Sequence, residues 1–149
     1  MNSDAIRLDH QLCHRFYIVS NAFTRAYRPM LKRLDLTYPQ YVAMMALWEQ
    51  DEITISTLLD TTRIDGGAMS LILKKLEAKD YVKIVTSSED KRVKKVALTA
   101  KGHGAKPSAI EIAQTMRCNI KHLSAEEGQQ LIALIDKLSQ DLTTDICQL

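Results

Sequence analysis

The fold is decided by Asp65-Gly66-Gly67-Ala68-Met69-Ser70-Leu71-Ile72-Leu73-Lys74-Lys75-Leu76 and by the segment that follows it. That segment runs Tyr81-Val82-Lys83-Ile84-Val85-Thr86, then Ser87-Ser88-Glu89-Asp90-Lys91-Arg92, then Val93-Lys94-Lys95-Val96-Ala97-Leu98. Asp65 is a residue type that caps helix N-termini. Behind it Met69, Ile72, Leu73 and Leu76 recur at helical spacing, which leaves Ser70, Lys74 and Lys75 on other faces. At Tyr81 the period changes. Two β-rich runs joined by a charged loop predict a hairpin with Lys91 and Arg92 at its tip and Lys94 in the return run that begins at Val93.

Working upstream, Ser56 to about Thr62 reads as a short helix with Leu58 and Leu59 inward. Ile53-Thr54-Ile55 before it is too short to be more than an edge strand or a helix lead-in. Thr37 is an N-cap threonine just ahead of Pro39, and a helix from Pro39 to about Gln50 carries Val42, Met45, Ala46 and Trp48. From Arg7 to Met30, the residues Leu8, Leu12, Phe16, Val19, Phe23, Tyr27 and Met30 trace one face of a long amphipathic helix that breaks after Pro29. Downstream, Gly102 and Gly104 interrupt the restart, and a helix is expected over Pro107 to Ile120. Ser124-Ala125-Glu126-Glu127 then fits a capping box before Leu131, Leu134, Ile135, Leu138, Leu142 and Ile146.

Helix, short helix, helix and a two-stranded hairpin is the order of a winged helix-turn-helix, whose later helix enters the DNA major groove. The fold class expected is mainly α with a small β-hairpin wing. At 149 residues the chain reads as one domain, with the winged helix-turn-helix over 37–106 and dimerisation helices over 1–36 and 107–149. The terminal helices carry apolar stripes too extensive for a small wing domain to cover. Another protomer covers them in the homodimer this predicts, although packing on their own chain is the alternative. A two-fold dimer presents two recognition helices about one DNA turn apart and selects a pseudopalindromic operator in double-stranded DNA.

The formal charge is only +2, but residues 74 to 106 hold ten Lys/Arg against four acids, so that segment is +6 and the remainder −4. A basic patch on one segment is an electrostatic footprint of phosphate binding, and it begins inside the expected recognition helix. Lys74 and Lys75 can reach backbone phosphates, Ser70 a base or phosphate, and Arg92 a minor groove. Taken singly, each is equally a solvated surface residue; their agreement with the topology points to DNA.

Other classes are excluded or weakened. The chain is too short for a large multidomain enzyme, no stretch reaches the roughly 18 apolar residues of a membrane span, and Met1-Asn2-Ser3-Asp4 does not open a signal peptide, so a cytoplasmic protein without a membrane partner is expected. Cys13, Cys118 and Cys147 are odd in number and far apart, which argues against a disulfide framework or a zinc site. His10 and His14 share a helix face but lack a third ligand, so no metal and no cofactor are expected.

The arrangement of terminal helices around a winged helix resembles the MarR family of transcriptional regulators. Ser88-Glu89-Asp90-Lys91-Arg92, followed by Val96, Leu98-Thr99 and Gly102, matches that family's Asp-x-Arg wing pattern. A narrower set of runs is similar to the OhrR subgroup of organic hydroperoxide-sensing repressors. It comprises Leu12-Cys13, Ala22-Phe23-Thr24-Arg25-Ala26-Tyr27-Arg28-Pro29, Leu36-Thr37-Tyr38-Pro39-Gln40-Tyr41 and Leu47-Trp48-Glu49. The resemblance covers nearly the whole chain.

It implies a non-enzymatic repressor whose sensor is Cys13, with Tyr27 and Tyr38 of the partner subunit hydrogen-bonding the thiolate. A thiolate attacks a peroxide O–O bond to give sulfenic acid, and phenol donors stabilise the thiolate. Cys13 is expected several turns inside the first helix, where the helix dipole contributes little, with His14 or Arg15 assisting electrostatically. Without the resemblance Cys13 reads as a small buried hydrophobe. One branch of the subgroup resolves the sulfenic acid with a second cysteine before the last helix. Cys118 lies close to that location, and capping by a small thiol is the alternative; Cys147 reads as a bystander.

The recognition helix departs from the subgroup. Its usual start is Asp-Ser-Gly-Thr-Leu-Thr-Pro, whereas this chain has Asp65-Gly66-Gly67-Ala68-Met69-Ser70-Leu71. Two hydroxyls and the proline are gone, which can redirect the operator sequence, and Arg63 just upstream offers an additional phosphate contact. Two other functions compete with peroxide sensing: a regulator of the wider family that reversibly binds a small aromatic ligand, and a thiol peroxidase with a vestigial wing.

Overall fold

The computed structural model describes residues 3–143, so Ile146 and Cys147 lie outside the described residues. The chain divides into two compact units, Met1–Gln114 and Thr115–Leu149.

The first unit opens with two short 3-10 turns, Ser3–Ile6 and Leu8–His10, and α1 begins only at Leu12 (Leu12–Leu31). The single helix expected from Arg7 is therefore broken before Cys13. Gln11 takes an extended backbone conformation there, and its side-chain amide donates to the carbonyls of Ala5 (2.8 Å) and Arg7 (3.2 Å), tying the turns to the helix start. Pro29 lies inside α1 without ending it, and another 3-10 turn, Lys32–Leu34, follows.

Helix α2 (Tyr38–Glu49) carries the predicted Thr37 cap as a full capping box. Thr37 Oγ1 accepts from the Gln40 N–H, and Gln40 Oε1 accepts from the Thr37 N–H. Tyr41, Met44, Leu47 and Trp48 are buried, whereas Met45 faces solvent. Of the four apolar residues read on this helix, Ala46 and Trp48 are buried and Met45 is not: α2 is apolar nearly all round, so periodicity alone does not select its core side. The Tyr41 hydroxyl donates to the Ala109 carbonyl at 3.1 Å, and Trp48 Nε1 donates to the Gly102 carbonyl at 2.8 Å.

Strand β1 (Ile53–Thr54) is a true edge strand, leading into α3 (Ile55–Thr62). Arg63, with φ 57°, closes α3 in the left-handed region and sets the tight turn before α4 (Gly66–Ala78). Asp65 Oδ1 caps α4 by accepting from the Ala68 N–H at 2.9 Å. Met69, Ile72, Leu73 and Leu76 are buried as their spacing predicts, joining Leu58 of α3 and Met44 of α2 in one core. Each such side chain contributes about 1.5–3 kcal/mol of burial free energy.

The hairpin pairs β2 (Val82–Thr86) with β3 (Lys94–Leu98), from Val82 opposite Leu98 to Thr86 opposite Lys94. β1 joins the other edge of β3, with Ile53 opposite Val96, so the sheet order is β1-β3-β2. The two glycines expected to interrupt the chain are instead helical, within α5 (Ala100–Gly104). Gly102 is there for space: a Cβ at this position would lie 2.2 Å from the Tyr81 carbonyl oxygen. Helix α6 (Lys106–Asn119) begins in this unit and ends in the second.

In the second unit, α7 (Ala125–Thr143) begins at the predicted capping box. The Ser124 N–H donates to Glu127 Oε2 (2.8 Å), and Ser124 Oγ accepts from the Glu127 N–H (3.1 Å). Hydrogen bonding to the carboxylate, first from the Ser124 backbone N–H and then from the Ser124 side chain, holds the Glu127 carboxyl below the ordinary carboxylate value. Leu131, Ile132, Leu134, Ile135 and Leu142 of α7 are exposed, as are Leu12, Tyr17, Ile18, Val19 and Phe23 of α1 in the first unit.

Candidate functional site

Two constellations emerge in the first unit. One combines α4 with the hairpin. Ser70, Lys74 and Lys75 all lie on the exposed side of α4, away from its buried face. Lys91 and Arg92 occupy the exposed turn between β2 and β3, and Lys94 is exposed at the start of β3. The turn is closed by backbone hydrogen bonds from Ser87 N–H to the Val93 carbonyl and from Val93 N–H to the Asp90 carbonyl, both 2.9 Å. Asp90 Oδ1 accepts from the Arg92 backbone N–H at 2.9 Å and from its Nε at 3.3 Å. A side chain that is 92% exposed is thereby tethered at the base of its guanidinium. The carboxylate's part in aiming Arg92 is what sequence reasoning missed; the Asp-x-Arg spacing was its signal.

The second constellation centres on tyrosines. Tyr27 of α1 and Tyr38 of α2 are half-buried, with ring centroids 4.9 Å apart. Tyr41 joins them at 5.6 Å from Tyr27 and was not anticipated. Burial, then the neighbouring Tyr41 and Tyr38, push the Tyr27 phenol above its ordinary value. Burial and Tyr38 do the same for Tyr41. The Tyr27 and Tyr41 phenols are therefore neutral hydrogen-bond donors at physiological pH.

Cys13 is exposed and is the second residue of α1, which corrects the expectation that it lies deep in the helix. In the first turn it sits among backbone N–H groups that have no intrahelical acceptor, at the positive end of the helix dipole. Gln11 makes no side-chain cap there. A shallow cleft at this helix start is lined by Arg7, Leu8, Asp9, His14 and Arg15. The Arg15 guanidinium donates to the Asp9 carbonyl (3.1 Å), and His14 Nδ1 is buried without a hydrogen-bond partner among the described residues.

Within one chain the structure does not bring Cys13 to the tyrosines. Cys13 and Tyr27 are fourteen residues apart on the unbroken α1, about 21 Å at the α-helical rise. Cys118, near the end of α6 in the second unit, is exposed. Among the described residues no cluster of His, Cys, Asp and Glu has the makings of a metal site, and no helix is long and apolar enough to cross a membrane.

Comparison with known proteins places these features. The MarR family profile matches residues 36–94, the stretch from the residue before the α2 cap to the start of β3. The organic hydroperoxide resistance transcriptional regulator of Bacillus subtilis (strain 168) is 33% identical over 141 residues, covering 95% of this chain and 93% of that protein. The chain belongs to the MarR family. The HTH-type transcriptional regulator SarZ of Staphylococcus aureus (strain USA300) is 34% identical over 125 residues, 84% of each chain. Among solved structures, reduced AbfR bound to DNA is 28% identical with a TM-score of 0.79, covering 95% of this chain and 96% of that one. AbfR, a protein of Staphylococcus epidermidis, is also solved with a disulfide formed, and that form superposes with a lower TM-score of 0.64 at 27% identity. The chain is thus a MarR-family transcriptional regulator of the winged-helix type, mostly helical with a small three-stranded antiparallel sheet. The curated relatives it matches are transcriptional regulators.

Proposed function

We propose that this regulator is a dimeric repressor that releases its operator when an organic hydroperoxide oxidises Cys13. The observation that carries the reading is an exposed thiol in the first turn of α1, in a chain one-third identical to an organic hydroperoxide resistance regulator over nearly its whole length. The Cys13 thiolate attacks one peroxide oxygen, the O–O bond breaks, and the alcohol leaves with a proton while sulfur becomes sulfenic acid. The Cys118 thiolate of the partner subunit then attacks that sulfur, forming a disulfide and expelling water.

The distance along α1 supports a dimer. Tyr27, about 21 Å along the same helix, and Tyr38, stacked near it, serve Cys13 only from another copy, so the partner's Tyr27 and the partner's Tyr38 are the donors to the thiolate. Two antiparallel α1 helices meeting near Ser20 would place Cys13 of one beside Tyr27 of the other, and would cover Tyr17, Val19 and Phe23, which are exposed in the single chain. The regions 1–36 and 107–149 are assigned to dimerisation and 37–106 to DNA. In the DNA-bound state α4 lies in the major groove, Ser70 at a base or phosphate and Lys74 and Lys75 at phosphates. The wing applies Arg92 to the minor groove, with Lys91 and Lys94 against the backbone. Oxidation adds bulk and polarity at a dimer-facing helix and changes the spacing of the two α4 helices. The chain superposes on the reduced and overoxidised DNA-bound forms of AbfR with TM-scores of 0.79 and 0.77 and on its disulfide form with 0.64, which supports a change of shape linked to the disulfide.

The test is binding to the promoter DNA flanking the protein's own gene, at one fixed salt concentration, with and without cumene hydroperoxide, for wild type and Cys13→Ser. Peroxide is expected to release the wild type and leave Cys13→Ser bound. A response by both proteins, or by neither, removes Cys13 as the sensor.

A further inference from the structure

We propose that Leu71 reads the 5-methyl group of a thymine in the operator major groove; the inference rests on the DNA-binding reading above. One face of α4 turns Gly67, Ser70, Leu71 and Lys74 to solvent, while Met69, Ile72, Leu73 and Leu76 fill the core on the other. The chemistry of the exposed face is narrow. Gly67 has no side chain, Ser70 carries one hydroxyl, and Lys74 is a compact charge on a flexible stem. None of them is an arginine that forks onto guanine, or an asparagine or glutamine that grips adenine from two sides.

Leu71 is the bulkiest apolar group on this face and is 63% exposed. Gly67, one turn earlier, has no Cβ to hold the helix off the groove floor beside it. The apolar feature that a base edge offers in the major groove is the thymine methyl, so a leucine here gains by covering it. Leu71 cannot take the place of a hydrogen-bond partner for the cytosine amino group, which makes the preference one for thymine. Each methyl contact of this kind is worth about fourfold in affinity.

The experiment selects duplexes from a random library with wild type, then replaces each thymine of the selected sequence singly by deoxyuridine, which removes the methyl group alone. Dissociation constants are measured by fluorescence anisotropy at fixed salt for wild type, Leu71→Ala and Leu71→Met. One thymine in each half-site is expected to bind wild type about fourfold more weakly as deoxyuridine. Leu71→Met should keep that penalty and Leu71→Ala should lose it, with an unchanged salt dependence because no charge is altered. If wild type shows no deoxyuridine penalty, or Leu71→Ala retains it in full, the inference is overturned; the wild-type arm decides without any variant. If wild type selects no sequence at all, the DNA-binding reading fails with it.

Discussion

Asp90 grips Arg92 twice at the tip of the wing, through the backbone N–H at 2.9 Å and through Nε at 3.3 Å. The carboxylate shapes the turn and holds the guanidinium at its base, leaving the two terminal nitrogens for a partner. Pairing in so exposed a position adds little stability, so its value lies in aiming the side chain. Arg92→Ala is expected to weaken operator binding and to lower the slope of log affinity against log salt by about 1, the signature of one lost phosphate-region contact. Asp90→Ala should weaken binding less and leave that slope near the wild-type value, because the cation survives untethered. Equal slopes for Arg92→Ala and wild type would remove Arg92 from the interface.

Gly102 is the point at which two parts of the core close. Its carbonyl accepts from Trp48, and its Cα faces the Tyr81 carbonyl, where a Cβ would sit at 2.2 Å. That carbonyl already accepts from the Thr99 N–H at 3.1 Å and is not free to retreat. Gly102→Ala should cost about 3 kcal/mol, the upper end for overpacking, because the obstructing atom is backbone. The melting temperature should then fall by roughly 6–12 °C. Calorimetry on the variant checks this; a shift under one degree would mean that the β3–α5 connection yields easily.

Alkaline pH should unfold the protein through its buried phenols. Burial raises Tyr27, Tyr41 and Tyr81, with neighbouring tyrosines adding to the first two and Asp35 to the third. A folded-state value above the unfolded one means that the fold favours the protonated phenol. The stabilisation is therefore complete below about pH 10 and is lost as pH rises through the folded values. Urea midpoints measured between pH 8 and pH 11.5, with phenolate absorbance followed in parallel, should stay level and then drop as these rings ionise. A midpoint independent of pH over that range would contradict the burial of the cluster.

If Cys118 resolves Cys13 across subunits, Cys13→Ser and Cys118→Ser chains that are each unable to cross-link alone should do so when mixed. Each mixed dimer retains one Cys13 and, on its partner, one Cys118. Peroxide should produce a covalent dimer visible on a non-reducing gel in the mixture and in neither pure variant. A mixture that stays monomeric on the gel would remove the Cys13–Cys118 link between subunits, and a pure variant that cross-links by itself would assign the disulfide to another cysteine pair.

Much of the fold was legible because local chemistry and burial agree. Thr37, Asp65 and Ser124 each cap the helix that their residue type and position suggest. The 69, 72, 73, 76 spacing marks the buried face of α4, and the change of period at Tyr81 marks the hairpin. Reading failed where apolar spacing does not distinguish geometries. Leu8 and Leu12 suit one helix, yet the chain makes a 3-10 turn, Leu8–His10, and an extended Gln11 between them, which moves Cys13 to a helix start. Met45 and Met44 are indistinguishable by hydrophobicity, and only packing chooses Met44. Gly102 reads as a helix breaker because its reason for being glycine is an atom about twenty residues away.

By itself, then, the sequence determined the identity and order of the elements and the basic α4 and wing, since caps, periodicity and charge are properties of neighbouring residues; the candidate thiol came from the resemblance to the OhrR subgroup. Only the tertiary structure decided which side of α2 is buried, that Tyr41 joins Tyr27 and Tyr38, that Asp90 aims Arg92, and that Cys13 and Tyr27 stand too far apart on α1 to meet within one chain. Those relationships depend on close packing and on the fixed rise of a helix, which set distances between groups that the linear order leaves open.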